Sequence, residues 1–280
     1  MKLLETLKST RLASFGREAL AALGPKEYAR LILTLLRYAP LALRDRAQAQ
    51  LRICRSMGNR REPLTIHFKG KTIKLDTAFM DKTGPEAVSF AIIQEMAIRG
   101  SYFRHQPETL PHFASAVDLG GNLGLFTLLI SPFAGKVVTV ETDPLLCGLI
   151  SHNLSVNNIT HAFVENAYIG GRGMSPISAP SISLEELLAK HKLSEIGFIK
   201  IDIEGSEFEL FEAPSWLSKT SFLSMEVHLE CGDIRLILDR LQSHGFQWSI
   251  ADGGHFQPLA KDQDLKGMPA VILYARNRNI

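Results

Sequence analysis

The apolar positions of this chain change their period along its length. Over the first sixty residues they recur at helical spacing among Ala, Leu and Arg, with breaks near Gly24-Pro25 and Pro40. The stretch LTIHFKGKTIKL, Leu64 to Leu75, alternates on both sides of Lys69-Gly70-Lys71, the pattern of a small hairpin. A helix is predicted from Pro85 to Ile98. From Ala116 onward the pattern becomes strand, turn, helix, repeated. AVDL precedes a helix from about Asn122 to Ser131, and KVVTVE precedes one from about Asp143 to Asn157. HAFVEN leads into a Gly/Ser/Pro loop from Gly170 to Pro180, and SLEELLAKH opens with a capping box, Ser183 and Glu186 standing three apart. GFIKID, SFLSMEVH, a helix from Ile234 to His244, FQWSIA and PAVILYAR complete the series. Strands alternating with helices predict an α/β fold, a mostly parallel sheet covered on both faces. The expected organisation is a basic helical arm over 1–61, a hairpin and helix over 62–115, and the core domain over 116–280.

Charge sharpens that division. The whole chain carries only +2, which does not mark it as a nucleic-acid binder. Up to Arg61, however, thirteen lysines and arginines face four acids, leaving 18 against 25 in the remainder. A basic arm therefore precedes a mildly acidic body. Three cysteines, Cys54, Cys147 and Cys231, lie far apart with no C-x-x-C pair, so neither a disulfide framework nor a structural zinc site is expected. The longest apolar run, LILTLLRYAPLAL, contains Arg37 and Pro40 and is too short to span a bilayer. No signal-peptide pattern opens the chain, and a reducing, cytoplasmic setting is the expectation.

The chemistry concentrates at strand ends. AVDLGGNLGLF falls where an open α/β sheet binds its ligand, at the carboxyl end of the first core strand. Counting from Gly120, the dinucleotide pattern G-x-G-x-x-G meets Asn122 and Leu125 in place of its later glycines, and no P-loop lysine follows. The spacing present is D-x-G-x-N-x-G: Asp118, Gly120, Asn122 and Gly124, with Gly121 between. One strand-helix unit later Glu141 ends KVVTVE, where a carboxylate accepts hydrogen bonds from both hydroxyls of a ribose. In this order the two signals point to S-adenosylmethionine (SAM) and a Rossmann-like methyltransferase.

Further along, IKIDIEGSEFELFEA reads as a strand that breaks at Gly205 and leaves carboxylates at its end. Asp202 and Glu204 there are candidates to orient an acceptor hydroxyl, take its proton or hold a cation. Glu207 divides between a functional role and stabilisation of the next helix's first turn. His228 ends the neighbouring strand, and imidazole titrates closest to neutrality, which suits a general base. Glu226 should share its side of that strand, unless it is a buried partner of Lys200. Asn166 is the candidate for the adenine edge, and Thr142 joins Glu141 among the cofactor contacts. No metal is assigned.

VDLGGNLGLFTL, VVTVETDP, SISLEELL, FIKIDIEGSEFELFEA and SMEVH, taken in order, resemble the FkbM-type SAM-dependent methyltransferases over roughly Ala116 to Gly245. The D-x-E-G-x-E hallmark matches Asp202, Glu204, Gly205 and Glu207, with Lys200 before it. The resemblance implies a class I methyltransferase fold with a seven-stranded, mostly parallel sheet, and O-methylation of a hydroxyl on a small molecule, sugar or glycan. Glu141-Thr142-Asp143-Pro144 departs from the family's E-P-x-P, and the segment from Asn166 to Ser183 is short. A non-catalytic SAM-binding scaffold and an RNA methyltransferase are the competing readings; the second lacks an aromatic stacking surface, and no nucleic-acid partner is expected. The arm, outside the resemblance, is read as packing on the body or a second subunit, with contact to an anionic membrane surface as the alternative.

Overall fold

The computed structural model describes residues 2–58, 62–76, 87–104, 106, 110–169, 179–252, 258–259, 265 and 267–280. The chain falls into two compact units, Met1–Ser101 with Ser155–Asn158, and Tyr102–Leu154 with Ile159–Ile280. The sequence pattern had set its divisions at 61 and 115 instead.

In the first unit, helix α1 runs Lys2–Ala42, kinked at Gly24, whose φ of 71° no right-handed helix accommodates. Pro40 does not end α1, which runs on to Ala42; the proline forfeits only the bond its missing N–H would make to the Leu36 carbonyl. Helix α2 (Arg46–Gly58) follows. Strands β1 (Leu64–Phe68) and β2 (Lys71–Leu75) pair antiparallel as the expected hairpin. Lys69 and Gly70 both have positive φ, 45° and 77°, the turn whose twist matches the strands. Helix α3 (Ala87–Ile92) widens into a π-helical turn over Ile93–Ile98. The predicted start of this helix at Pro85 lies outside the described residues.

The second unit is built on one sheet. Its strands are β3 (Phe113–Leu119), β4 (Ala134–Glu141), β5 (Ala162–Asn166), β8 (Ile196–Ile201), β9 (Thr220–His228), β10 (Phe246–Asp252), the two-residue β11 (Pro258–Leu259) and β12 (Ala270–Asn277). The spatial order is β11-β10-β12-β9-β8-β3-β4-β5. Neighbours from β5 to β9 are parallel, whereas β12 runs antiparallel between β9 and β10. Apart from the two-residue β11, which pairs antiparallel with β10, seven strands carry the sheet with one reversed, the Rossmann-like methyltransferase arrangement. Short strands β6 (Tyr168–Ile169) and β7 (Ser181–Ile182) pair separately. Most of the predicted Gly170–Pro180 loop between them, 170–178, lies outside the described residues.

Helices α4 (Leu125–Ile130), α5 (Pro144–Val156), α6 (Leu184–Lys190), α7 (Glu207–Leu210) and α8 (Ile234–Ser243) connect the strands. The Ser183–Glu186 capping box forms as read, each residue's side chain bonding the other's backbone N–H. Helix α4 begins three residues later than expected, since Asn122 (φ 49°) and Gly124 (φ 76°) hold the left-handed region and cannot join it. Every residue of β8 is buried. Apolar packing against both faces brings the carboxyl ends of β3, β4, β8 and β9 to one edge, and polar side chains project there.

Candidate active site

At the end of β3 the chain turns through Gly120, whose φ is 80°. A side chain there is impossible without rebuilding, because a Cβ would stand 1.8 Å from the Asp202 carbonyl oxygen. The loop amides are already occupied. Gly120 N and Gly121 N both donate to the Val140 carbonyl, at 3.0 and 2.9 Å. These two amides are therefore spent on the end of β4 and do not point a free N–H at a ligand. The side chains around the loop are the other candidate contacts for a ligand.

Glu141 supplies the main one. Its Oε2 accepts from Asn122 N at 2.7 Å, and its Oε1 accepts from Asp143 N at 2.9 Å and Thr142 Oγ1 at 3.2 Å. One carboxylate thus joins the glycine loop to the end of β4, two places that the sequence reading had linked only through a shared ligand. Both places border a cleft of about 360 Å³ lined by Gly120, Asn122, Glu141 and Thr142 on its polar side. Leu146, Ala167 and Ile169 add apolar lining, and Asp202 and Glu204 line the same cleft.

Two predicted contacts take other positions. Asp118 is fully buried behind the cleft. It accepts from Thr127 Oγ1 at 2.6 Å and lies 3.4 Å from Lys200 Nζ. Burial raises its carboxyl above the usual 3.8, with the Lys200 charge pulling the other way. Asn166 does not face the cleft either; its Nδ2 donates to the carbonyls of Glu141 and Thr142, at 3.1 and 2.8 Å, and braces that turn. Gly124 ends the loop and starts α4.

Sequence reasoning gave little weight to Lys200 and missed Tyr102. Lys200 is 1 % exposed and donates to Gly120 O at 2.6 Å and Leu119 O at 3.3 Å, with Asp202 3.6 Å away. It pins the ends of β3 and β8 together. The buried Tyr102 hydroxyl donates to Asp202 Oδ2 at 3.1 Å and lies 3.4 Å from Glu226 Oε2. A tyrosine eleven residues before the first core strand carries no spacing signal; only the fold brings it here.

The IKIDIEGSEFELFEA stretch supplies one half of a carboxylate–imidazole dyad. β8 ends at Ile201, and the chain turns with Glu204 at φ 52° and Gly205 at φ 102°. Glu207 is completely buried, and its Oε1 accepts from Ile203 N, Gly205 N and His228 Nδ1, at 3.1, 3.2 and 3.0 Å. It therefore fixes the turn and the imidazole together, going beyond the helix-end role considered for it. His228 Nε2 lies 3.5 Å from the largely exposed Glu204 carboxylate. The Glu207 hydrogen bond, opposed by burial and reinforced by the charges of Glu207, Glu226 and Glu204, pushes His228 from 6.5 up to about 9. Asp202, Glu204 and His228 each bring one ligand atom within 4.8 Å of the others, a spacing that would also suit a divalent cation.

The fold, the glycine turn and the acid tipping the next strand define a SAM-dependent methyltransferase. More specifically, residues 85–248 match the model of the methyltransferase FkbM domain, and the chain belongs to that family. No curated protein matches the sequence. Solved structures resemble it distantly. A putative SAM-dependent methyltransferase from Streptococcus mutans is 9 % identical at TM-score 0.46, covering 78 % of this chain and 56 % of that one. The StiE O-MT segment, residues 961–1257, is 10 % identical at TM-score 0.45, covering 72 % of this chain and 81 % of that one. Another putative methyltransferase from Streptococcus mutans, solved in complex with SAH, is 13 % identical at TM-score 0.38, with coverage of 59 % and 89 %. Among the described residues, no helix is long and apolar enough to cross a membrane.

Proposed function

We propose that this protein methylates a hydroxyl oxygen on a small molecule, sugar or glycan. The observation that carries the reading is the buried Glu207 carboxylate bonded to His228 beside Asp202 and Glu204, at the edge of the cleft. When bound, the cofactor supplies an electrophilic methyl group. Gly120, Asn122, Glu141 and Thr142 hold its nucleoside, and Glu141 keeps acceptor capacity on both oxygens for ribose hydroxyls. Gly121 and Gly124 shape that loop, Asp118 stands beside the Lys200 that bonds it, and Asn166 braces the Glu141-Thr142 turn. Asp202, held by Tyr102, orients the acceptor. A neutral alcohol is a poor nucleophile, so His228 Nε2 takes its proton and Glu207 stabilises the imidazolium formed, worth about 10²–10⁴-fold in rate.

Incubating the protein with methyl-labelled SAM and hydroxyl-bearing metabolite or glycan extracts tests the reaction. An alkali-stable methyl ether among the products is expected. SAM binding without transfer to any fraction would favour a scaffold, and label recovered only in RNA would favour the nucleic-acid reading. The free cysteines Cys54, Cys147 and Cys231 support a reducing, cytoplasmic setting.

Two further outcomes follow from the site. Glu141→Ala is expected to weaken SAM binding by about 1–3 kcal/mol, the cost of a lost charge-assisted acceptor. Calorimetry reads this directly, and unchanged affinity removes Glu141 from the cofactor site. We also assign no metal to the Asp202, Glu204 and His228 trio, because no fourth ligand joins them among the described residues. Turnover is therefore expected to be the same with and without EDTA. A chelator that stops the reaction, with restoration by added divalent cation, would replace this assignment.

A further inference from the structure

We propose that the second half of α1 docks on an anionic lipid surface. Beyond the Gly24 kink, Leu33 and Leu36 are 68 % and 66 % exposed, and Leu43, just past the helix end, is 91 % exposed. Ala29 and Pro40 are exposed as well. At about 100° per residue, positions 29, 33, 36, 40 and 43 fall within one narrow arc, so the leucines form a single ridge. An apolar ridge left in water costs free energy that burial against a partner would recover.

Charge selects the partner. Lys26 and Arg37 are exposed, and the same helical arithmetic sets them in a second row along one flank of the ridge, with exposed Arg44 in the turn that follows the helix. Between Lys26 and Arg44 the only acid is Glu27, which is 8 % exposed. Asp45 follows, and its Oδ1 accepts from Gln48 N at 3.0 Å as α2 begins. A leucine ridge beside a basic row with no exposed acid is the arrangement of a helix lying in a headgroup layer. A second copy meeting face to face would bring the same positive row against this one. No described helix can cross a bilayer, so contact would be peripheral.

Flotation of the full chain with vesicles tests the assignment. Strong binding is expected to phosphatidylcholine vesicles containing 30 % phosphatidylserine at low salt, falling as salt rises, and weak binding to phosphatidylcholine alone. Arg37→Ala with Arg44→Ala should weaken binding about 30-fold, from the usual contribution of each basic side chain near such a surface. Leu33→Asp with Leu36→Asp and Leu43→Asp should abolish it. Circular dichroism and SAM affinity should be unchanged in both variants, since these positions lie outside the cofactor cleft. Absence of binding to either vesicle overturns the proposal, as does a leucine variant that binds like the parent. A concentration-dependent dimer in sedimentation that the leucine variant dissociates would overturn it in favour of a second copy.

Discussion

Lys200→Met is expected to destabilise the protein by about 3–5 kcal/mol, the usual cost of removing one partner from a buried ion pair. The substitution keeps the side chain's volume and removes its charge and donors. Asp118, fully buried with its Oδ1 already lacking a hydrogen-bond partner, would lose the cation 3.4 Å away. The Leu119 and Gly120 carbonyls would lose their donor as well. Because those carbonyls open the glycine turn, SAM binding should weaken alongside stability. Urea denaturation measures the first effect and calorimetry the second. Lys200→Met with Asp118→Asn should recover much of the loss, since the stranded charge goes with its partner. A single mutant within about 1 kcal/mol of the parent would show that Lys200 fills space and nothing more.

His228→Ala is expected to lower kcat by about 10²–10⁴-fold while leaving SAM affinity intact. A full-rate mutant would eliminate it as base and leave Asp202 or Glu204. The pH profile separates the roles more finely. His228 is raised to about 9, so its neutral, proton-accepting form grows with pH, and the rate should climb until about that value. Glu207→Gln weakens the acceptor that raises it, and the limb should move toward the ordinary 6.5. A profile flat from pH 6 to 10 would point to a carboxylate base. Stability follows the opposite course. A raised imidazole contributes stability that is fully present below about 6.5 and lost as pH rises through about 9. Activity and folding stability should therefore diverge in the alkaline range.

Local signals made much of the candidate cleft legible. Gly120 and Glu141 announce themselves because a tight turn restricts which residue fits and a strand's end can be counted. The capping box at Ser183 and the Lys69-Gly70 hairpin were readable for the same reason: each is settled within a few residues. Buried strands β3 and β8 showed as apolar runs, and their alternation with helices was enough to predict the sheet.

What the sequence by itself determined, then, was a SAM-type turn on a parallel sheet, with acids at the ends of β4 and β8. Tertiary structure alone decided that Asp118 stands behind the cleft, that Asn166 braces a turn, and that Tyr102 reaches Asp202 from a segment distant in the chain. It also decided that Glu207 meets His228 across 21 residues. The reason is physical: a turn or cap is settled by neighbours along the backbone, whereas a buried charge finds its partner only after strands remote in sequence have packed together.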